Sequence, residues 1–291
     1  MKPSRYNLLA ERLLFSFFVF LGVFIVLFRM FIVSWESLLA LVAGAGAVLL
    51  LTAGVQRKRP ESGFWITVRN WIPIPGIFFG YRMVLFLINN DRNHPAFMPC
   101  RDEWLIAADR WIFGADPTVW LERLTVPWLT ELMQIFYAAN YFLPLTLGIV
   151  LYLKGERLPY QKTLFAITLG YILSYLGYFV IPAIGPRFTL PHSVPLEGIL
   201  IRERLAGLIY ALDPAPRDCF PSGHTQISLV TLWLAYRFRR GIFYLYLPIV
   251  AGLVVSTVYL RYHYVIDVIA GAALAGVVIV LARGAEKRIG E

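Results

Sequence analysis

The chain has 291 residues, 58% of them hydrophobic and 15% charged. A mean hydropathy of +0.64 is too apolar for a soluble domain of this size and points to a membrane protein. The net charge of +9 would suit a nucleic-acid partner, but most Lys and Arg fall in short clusters between apolar runs, as topology signals do, so no nucleic acid is expected.

Apolar runs predict about eight membrane helices, over 12–33, 37–55, 70–89, 127–152, 162–183, 225–240, 242–261 and 264–283. The first run is too long, and wrongly flanked, for a cleaved signal peptide, so it is read as a retained span. The third contains Pro73, Pro75, Gly76 and Gly80, with Arg69 and Arg82, so a broken or partly interfacial helix is expected. Basic groups around Lys2 and Arg5, Gln56-Arg57-Lys58-Arg59, Lys154 to Lys162, Arg237 to Arg240 and Arg283 to Arg288 all fall on one side of an eight-span topology. That side is read as cytoplasmic, with both termini inside and the chain in a plasma (inner) membrane.

The other side holds two longer segments. Residues 91–126, with Asp102, Glu103, Asp109, Arg110, Trp111, Asp116 and Trp120, read as short amphipathic helices at the interface. Asp109 is expected to partner an arginine. Residues 184–222 carry Gly185-Pro186-Arg187, His192, Arg202, Arg204, Asp213, Arg217 and Asp218. His94 and His192 lack partner spacing and receive no role. Cys100 and Cys219 are both on this side; they read as two unrelated thiols, a disulfide being the alternative. Tyr244, Tyr246, Tyr259, Tyr262 and Tyr264 read as interfacial aromatics. Tyr137, Asn140 and Tyr141 fit either a lipid cavity or ordinary helix packing.

Two motifs meet this same face. In Cys219-Phe220-Pro221-Ser222-Gly223-His224-Thr225, the Pro and Gly suit a tight turn and Ser222 can cap the helix that follows. Helix N-terminal N–H groups at Ser222 and Gly223 can hold an anion, and His224 can protonate a leaving oxygen. A plain helix cap with a headgroup-level histidine is the alternative. In Arg261-Tyr262-His263-Tyr264-Val265-Ile266-Asp267, the aspartate four residues on lies on the same helical face as the histidine. Asp267 can fix the tautomer of His263 and leave its other nitrogen as a nucleophile. An ion pair that only orients the last span is the alternative. Arg187 and Arg261 are candidate phosphate clamps, because guanidinium groups offer planar, paired donors; Arg202, Arg204 and Arg217 read as headgroup contacts. Together these residues are equipment for phosphoryl transfer through a phosphohistidine.

Pro221-Ser222-Gly223-His224 and His263-x-x-x-Asp267, with Gly-Pro-Arg187 upstream, resemble the type-2 phosphatidic acid phosphatase superfamily. The Gly223-His224-Thr225 and His263-Tyr264-x-x-Asp267 forms are closest to its branch of inositol phosphorylceramide and sphingomyelin synthases. Asp109-Arg110-Trp111-x-Phe113-Gly114 and Tyr137-x-x-Asn140-Tyr141 are similar to the bacterial and fungal members. The resemblance covers roughly residues 100–283. It implies an all-α polytopic bundle with a six-helix core and an exoplasmic-facing site, with residues 1–95 as N-terminal membrane helices and 96–291 as the catalytic membrane domain. It also implies His263 as nucleophile, Asp267 as its orienting base and His224 as general acid then base, with no metal and no cofactor. Two positions depart from the phosphatase pattern. No lysine precedes Arg187 at the phosphatase spacing, and the arginine six residues before the second histidine is replaced by Thr257, a place Arg261 can take.

The expectation is therefore a lipid phosphotransferase acting on lipid-linked phosphate esters, with an alcohol acceptor and no obligate protein partner. A lipid phosphate or polyprenyl diphosphate phosphatase using water is the alternative. A transporter is a further alternative, disfavoured because the ionisable residues gather at one face and no inverted repeat appears.

Overall fold

The structure, a computed structural model, describes residues 5–59, 61–89, 97–212 and 217–289. Lys2, His94 and Asp213 lie outside the described residues, as does the boundary drawn between residues 95 and 96. Among the described residues all regular elements are helical, and the sole extended pairing is an isolated bridge between Ala183 and Asp218.

Helices α1 (Arg5–Leu27) and α2 (Trp35–Lys58) open the chain. They run antiparallel, Gly22 facing Leu39 and Gly46 facing Phe15. Helices α3 (Gly63–Trp71) and α4 (Pro73–Asn89) follow. The prolines lack an N–H, so the ladder is interrupted near Ile72, yet Gly63–Ile88 remains one apolar span of 26 residues.

Helix α5 (Asp102–Phe113) buries Asp102, Leu105 and Asp109 along one face, while Trp104 and Trp111 are exposed. The positions i, i+3 and i+7 share that face. A short α6 (Pro117–Trp120) and a 3-10 turn complete the expected interfacial segment. Helices α7 (Pro127–Ala138) and α8 (Leu143–Leu153), expected as one span over 127–152, bend by 47° through a 3-10 turn at Ala139–Tyr141. Helix α9 (Arg157–Val180) is central and touches α1, α4, α8, α12 and α14. Short helices α10 (Pro186–Thr189) and α11 (Arg202–Leu212) lead to α12 (Gly223–Phe238), α13 (Arg240–Tyr259) and α14 (Val265–Ile289).

Among the described residues six helices are long and apolar enough to cross a membrane, or seven if α7 and α8 count as one bent span. The sixth expected span, 225–240, is α12, which has only 16 residues. At 1.5 Å per residue that is about 24 Å, short of the ~30 Å hydrocarbon layer. Its length is made good by enclosure, since α12 packs against α8, α9, α13 and α14. The start of α12 is buried, Ser222 and Thr225 being fully enclosed, and its other end carries the exposed Arg237.

The basic clusters gather at the opposite end. Arg237 grips Glu286 at 2.8 and 3.0 Å, Lys162 lies 3.8 Å from the same carboxylate, and Arg239 pairs with Glu156. Arg5 reaches the carbonyl of Ile289 at 3.5 Å, so both ends of the described chain meet there. Gln56 was expected in a basic topology cluster and Arg69 in a broken or partly interfacial third span. Arg69 is instead buried, held by Glu11 at 2.5 and 2.6 Å and by Gln56.

The largest apolar cluster joins Leu147, Ile227, Leu234, Leu253 and Val278 to Tyr6 and Ala10 of α1, so the N-terminal helices share the core of the rest. Lipid tails are as apolar as these side chains, so close packing and interhelical hydrogen bonds hold the bundle. Thr130 to Tyr259 at 3.0 Å and Gln226 to the Gly170 carbonyl at 3.1 Å are examples, each worth about 0.6 kcal/mol in such bundles. Tyr246, Tyr259 and Tyr264, expected at the interface, are buried with hydrogen-bonded hydroxyls; Tyr244 is exposed as expected.

Candidate active site

The site forms where the N-termini of α12 and α14 meet the C-terminal ends of α9 and α13. Ser222 caps α12, its Oγ accepting from the Thr225 N–H at 3.3 Å. Its own N–H donates to the Asp267 carbonyl at 3.1 Å, tying the two helix starts together. Gly271 makes the approach possible: a Cβ there would lie 2.4 Å from the Ser222 carbonyl oxygen. His224 and His263 then face each other with ring centroids 5.7 Å apart and planes inclined by 58°.

His263 is 4% exposed and Asp267 fully buried. The carboxylate Oδ2 lies 3.5 Å from Nδ1 of His263, but the shorter contact of that nitrogen is the Cys219 carbonyl at 2.8 Å. Asp267 was expected to orient the ring directly, and the backbone carbonyl shares that task. Oδ2 also accepts from the Tyr264 N–H at 2.9 Å and the Cys219 thiol at 2.9 Å. The Asp267 Oδ1 and the His224 Nε2 are buried without a hydrogen-bond partner among the described residues. Donor atoms of Cys219, His263 and Asp267 lie within 4.8 Å of one another, a spacing that can hold a metal ion; here Nδ1 and the thiol are spent on hydrogen bonds.

His224 stacks on Tyr137 at 4.4 Å, and Tyr137 stacks in turn on Tyr262 at 4.4 Å. Tyr141 meets His224 edge-on at 6.2 Å. Tyr141 also lines an apolar cleft of about 120 Å³ between α4, α8 and α9, with Ile77, Phe78, Leu145 and Ile167 among its walls.

Arg187 and Arg261 are joined through the backbone, the Arg187 N–H donating to the Arg261 carbonyl at 3.0 Å. Arg261 has a left-handed φ of 65°, an uncommon conformation outside glycine. Its guanidinium donates to the Val194 carbonyl at 2.6 Å and pairs with Glu122 at 3.1 Å. Burial pulls the Arg261 pKa below its ordinary value; Glu122 acts the other way, and the charges of Arg187 and Arg202 add to the lowering. Arg187 is exposed, its guanidinium 5.9 Å from the Tyr262 ring. Arg202 sits 3.9 Å from Glu203, and Arg217 donates to the Ile88 carbonyl at 2.8 Å. His192 bonds the Thr118 hydroxyl at 3.2 Å.

Two acids on α5 build the floor of the site. Asp109, expected to pair with an arginine, instead accepts the Val265 and Ile266 N–H groups at 2.9 and 2.8 Å. Arg110 takes Asp116 as its partner. Asp102 accepts the N–H groups of Ile184 and Gly185 and the Tyr264 hydroxyl. Their seven-residue spacing beside buried Leu105 was the available signal, since acids on the inner face of an amphipathic helix need donors there. Glu122 receives the Ser193 and Val194 N–H groups and Glu131 those of Ile199 to Arg202, strapping the 193–202 segment beside Arg261. Cys100 and Cys219 are free thiols.

Fold and site thus describe a helical membrane protein with two facing histidines at paired helix starts. The sequence model of the PAP2 superfamily, the type-2 phosphatidic acid phosphatase superfamily, matches residues 103–281, and the chain belongs to it. It is similar to the phosphoinositol dihydroceramide synthase of Bacteroides thetaiotaomicron, with 27% identity over 158 residues. That match covers 48% of this chain and 51% of the relative, so the chain spans about half the length of the curated relative it matches. No solved structure matches the chain.

Proposed function

We propose that the chain is an integral-membrane lipid phosphotransferase that works through a phosphohistidine. The observation that carries the proposal is the facing pair of His224 and His263, with Nδ1 of His263 held by the Cys219 carbonyl. A ring whose Nδ1–H is donated to a carbonyl keeps its lone pair on Nε2. That nitrogen attacks phosphorus, and Asp267 steadies the imidazolium that develops. His224 protonates the departing oxygen, then takes the proton of an incoming hydroxyl, which attacks the phosphohistidine and frees His263. Arg187, Arg261 and the backbone N–H groups at Ser222 and Gly223 hold the phosphate oxygens.

The apolar cleft supports a lipid substrate, because its walls offer hydrocarbon surface and one of them, Tyr141, meets His224 edge-on. The name of the Bacteroides relative supports a phosphoinositol-type headgroup and a lipid alcohol of the dihydroceramide kind as acceptor. With water as acceptor the same site is a phosphatase of lipid phosphates or polyprenyl diphosphates. The basic end is assigned to the cytoplasm of a plasma membrane on its Lys and Arg content, which puts both termini inside and the histidines toward the exoplasm. Residues 96–291 supply the catalytic groups, and 1–95 serve as accessory membrane helices.

The test uses purified protein with lipid phosphates, phosphodiesters and polyprenyl diphosphates, with and without an alcohol acceptor. A new phospholipid that needs the acceptor and disappears in His263→Ala supports the transferase. Phosphate release alone, lost in the same variant, makes the protein a phosphatase. Turnover that survives in His263→Ala sinks the phosphohistidine reading.

A further inference from the structure

The Cys219 thiol has no part in the steps above, yet at 2.9 Å it lies closer to Asp267 Oδ2 than His263 Nδ1 does at 3.5 Å. We propose that Cys219 is a positioning residue, holding Asp267 with its thiol and His263 with its carbonyl so that one residue sets the geometry of the nucleophile. The inference rests on the phosphohistidine reading.

The contacts are specific. The Sγ is 2.9 Å from Asp267 Oδ2 and 3.3 Å from the Tyr262 carbonyl. A thiol has one proton, and the carboxylate is the stronger acceptor, so the proton belongs to Asp267. The carbonyl oxygen of the same residue lies 2.8 Å from His263 Nδ1. The oxygen that receives the thiol is also the one nearest Nδ1, at 3.5 Å. Cys219 therefore acts twice on one pair: it fixes the ring through Nδ1, and it draws charge from the carboxylate oxygen the ring faces.

The residue is itself immobilised. It is 4% exposed, and its N–H donates to the Ala183 carbonyl at 3.1 Å. Gly185, at φ 90°, leaves room for the sulfur: a Cβ there would approach Sγ to 3.2 Å and the Tyr262 carbonyl to 2.8 Å. Other titratable groups face the pair from each side. They are His224 on α12, Asp102 on α5 through the Tyr264 hydroxyl, and Asp218 next in sequence. None of these takes the place of the thiol on Oδ2 among the described hydrogen bonds. Without the thiol donor more negative charge remains beside Nδ1, which favours the imidazolium and removes neutral nucleophile.

The experiment titrates the His263 imidazole by NMR in full-length protein with labelled histidine. The chain has four histidines, and the resonance lost in His263→Ala identifies the right one. Cys219→Ala should move the His263 midpoint to higher pH, and Cys219→Ser, which keeps a donor, should hold it at or below the wild-type value. Under turnover, Cys219→Ala should lower kcat about tenfold with little change in KM, as expected for loss of one hydrogen bond to a charged group, and Cys219→Ser should recover most of it. If the alanine variant fails to fold, Cys219→Val supplies a donor-free side chain of similar size. An unmoved midpoint in the donor-free variant, or a serine variant as impaired as alanine, overturns the proposal. The titration needs no substrate, so its result is separable from the phosphohistidine reading, which is judged by activity in His263→Ala.

Discussion

Asp109 of the interfacial helix accepts the backbone N–H of Val265 at 2.9 Å, and of Ile266 beside it at 2.8 Å, so the start of the helix bearing Asp267 is capped from outside the bundle. The first four N–H groups of a helix have no partner within it, and here an acid 156 residues away supplies one. Asp109→Ala leaves two donors unmatched, at about 1–3 kcal/mol. The unfolding temperature in detergent should fall by several degrees. Burial raises the Asp109 pKa, against the pull of the Val265 and Ile266 N–H groups. The folded state then holds this proton more tightly than the unfolded chain, so this carboxyl subtracts stability as pH rises from the ordinary carboxylate range through the raised value. Asp109→Asn should lack that part of the decline in a pH series of unfolding temperatures.

His224 and His263 should fail differently. His263→Ala should abolish turnover with every donor, because the proposed covalent intermediate forms on that ring. His224→Ala should slow lipid substrates by about 10²–10⁴, the usual share of a general acid, and recover much of the loss with a nitrophenyl phosphodiester whose leaving group needs no proton. Equal impairment on both substrates would remove His224 from the acid role.

The contact of Gly271 with the Ser222 carbonyl predicts a sharp difference between two glycines on one helix. Gly271→Ala puts a Cβ 2.4 Å from that carbonyl, so the Pro221-Ser222-Gly223-His224 turn must shift. Activity should drop at least about tenfold, since small displacements of reacting groups are costly. Gly276 has nothing within 4 Å of its missing Cβ. Gly276→Ala should keep full activity and match or slightly exceed the wild type in thermal stability, alanine being the better helix former by up to about 1 kcal/mol.

Arg187 and Arg261 should separate in kinetics and stability. Arg187 is exposed, so Arg187→Ala should raise KM for the phosphate-bearing donor and leave the unfolding temperature near wild type. Arg261 anchors Val194 and Glu122, so Arg261→Ala should lower both activity and stability and open the 193–202 segment to limited proteolysis. Arg261→Lys should restore little, because a lysine lacks the paired donors. A proteolysis pattern like wild type in Arg261→Ala would refute the strap.

The paired motifs were readable because each lies within seven residues of chain, where helix periodicity and turn chemistry act. The capping role of Ser222 follows from its type and place alone. The partner of Asp109 was misread because only the fold brings residues 265 and 266 to it. The partners of Arg69 were not legible for the same reason, Glu11 and Gln56 lying on two other helices.

The membrane bundle, the alignment of basic clusters at one end and the two histidine motifs at the other are all written into the order of residues. Those properties follow from local composition: apolar length sets a span, charge placement sets a side, and Pro, Ser and Gly set a turn. Packing of the folded chain settled how His263 is held, that Cys219 touches both His263 and Asp267, and that Asp102 and Asp109 pin the loops around them. It also decided that α12 is a helix of 16 residues enclosed by α8, α9, α13 and α14. The reason is that a buried donor or acceptor must find a partner wherever the packing brings one, and here some partners are far apart in sequence, 44 residues for Cys219 and His263 and 162 for Asp102 and Tyr264.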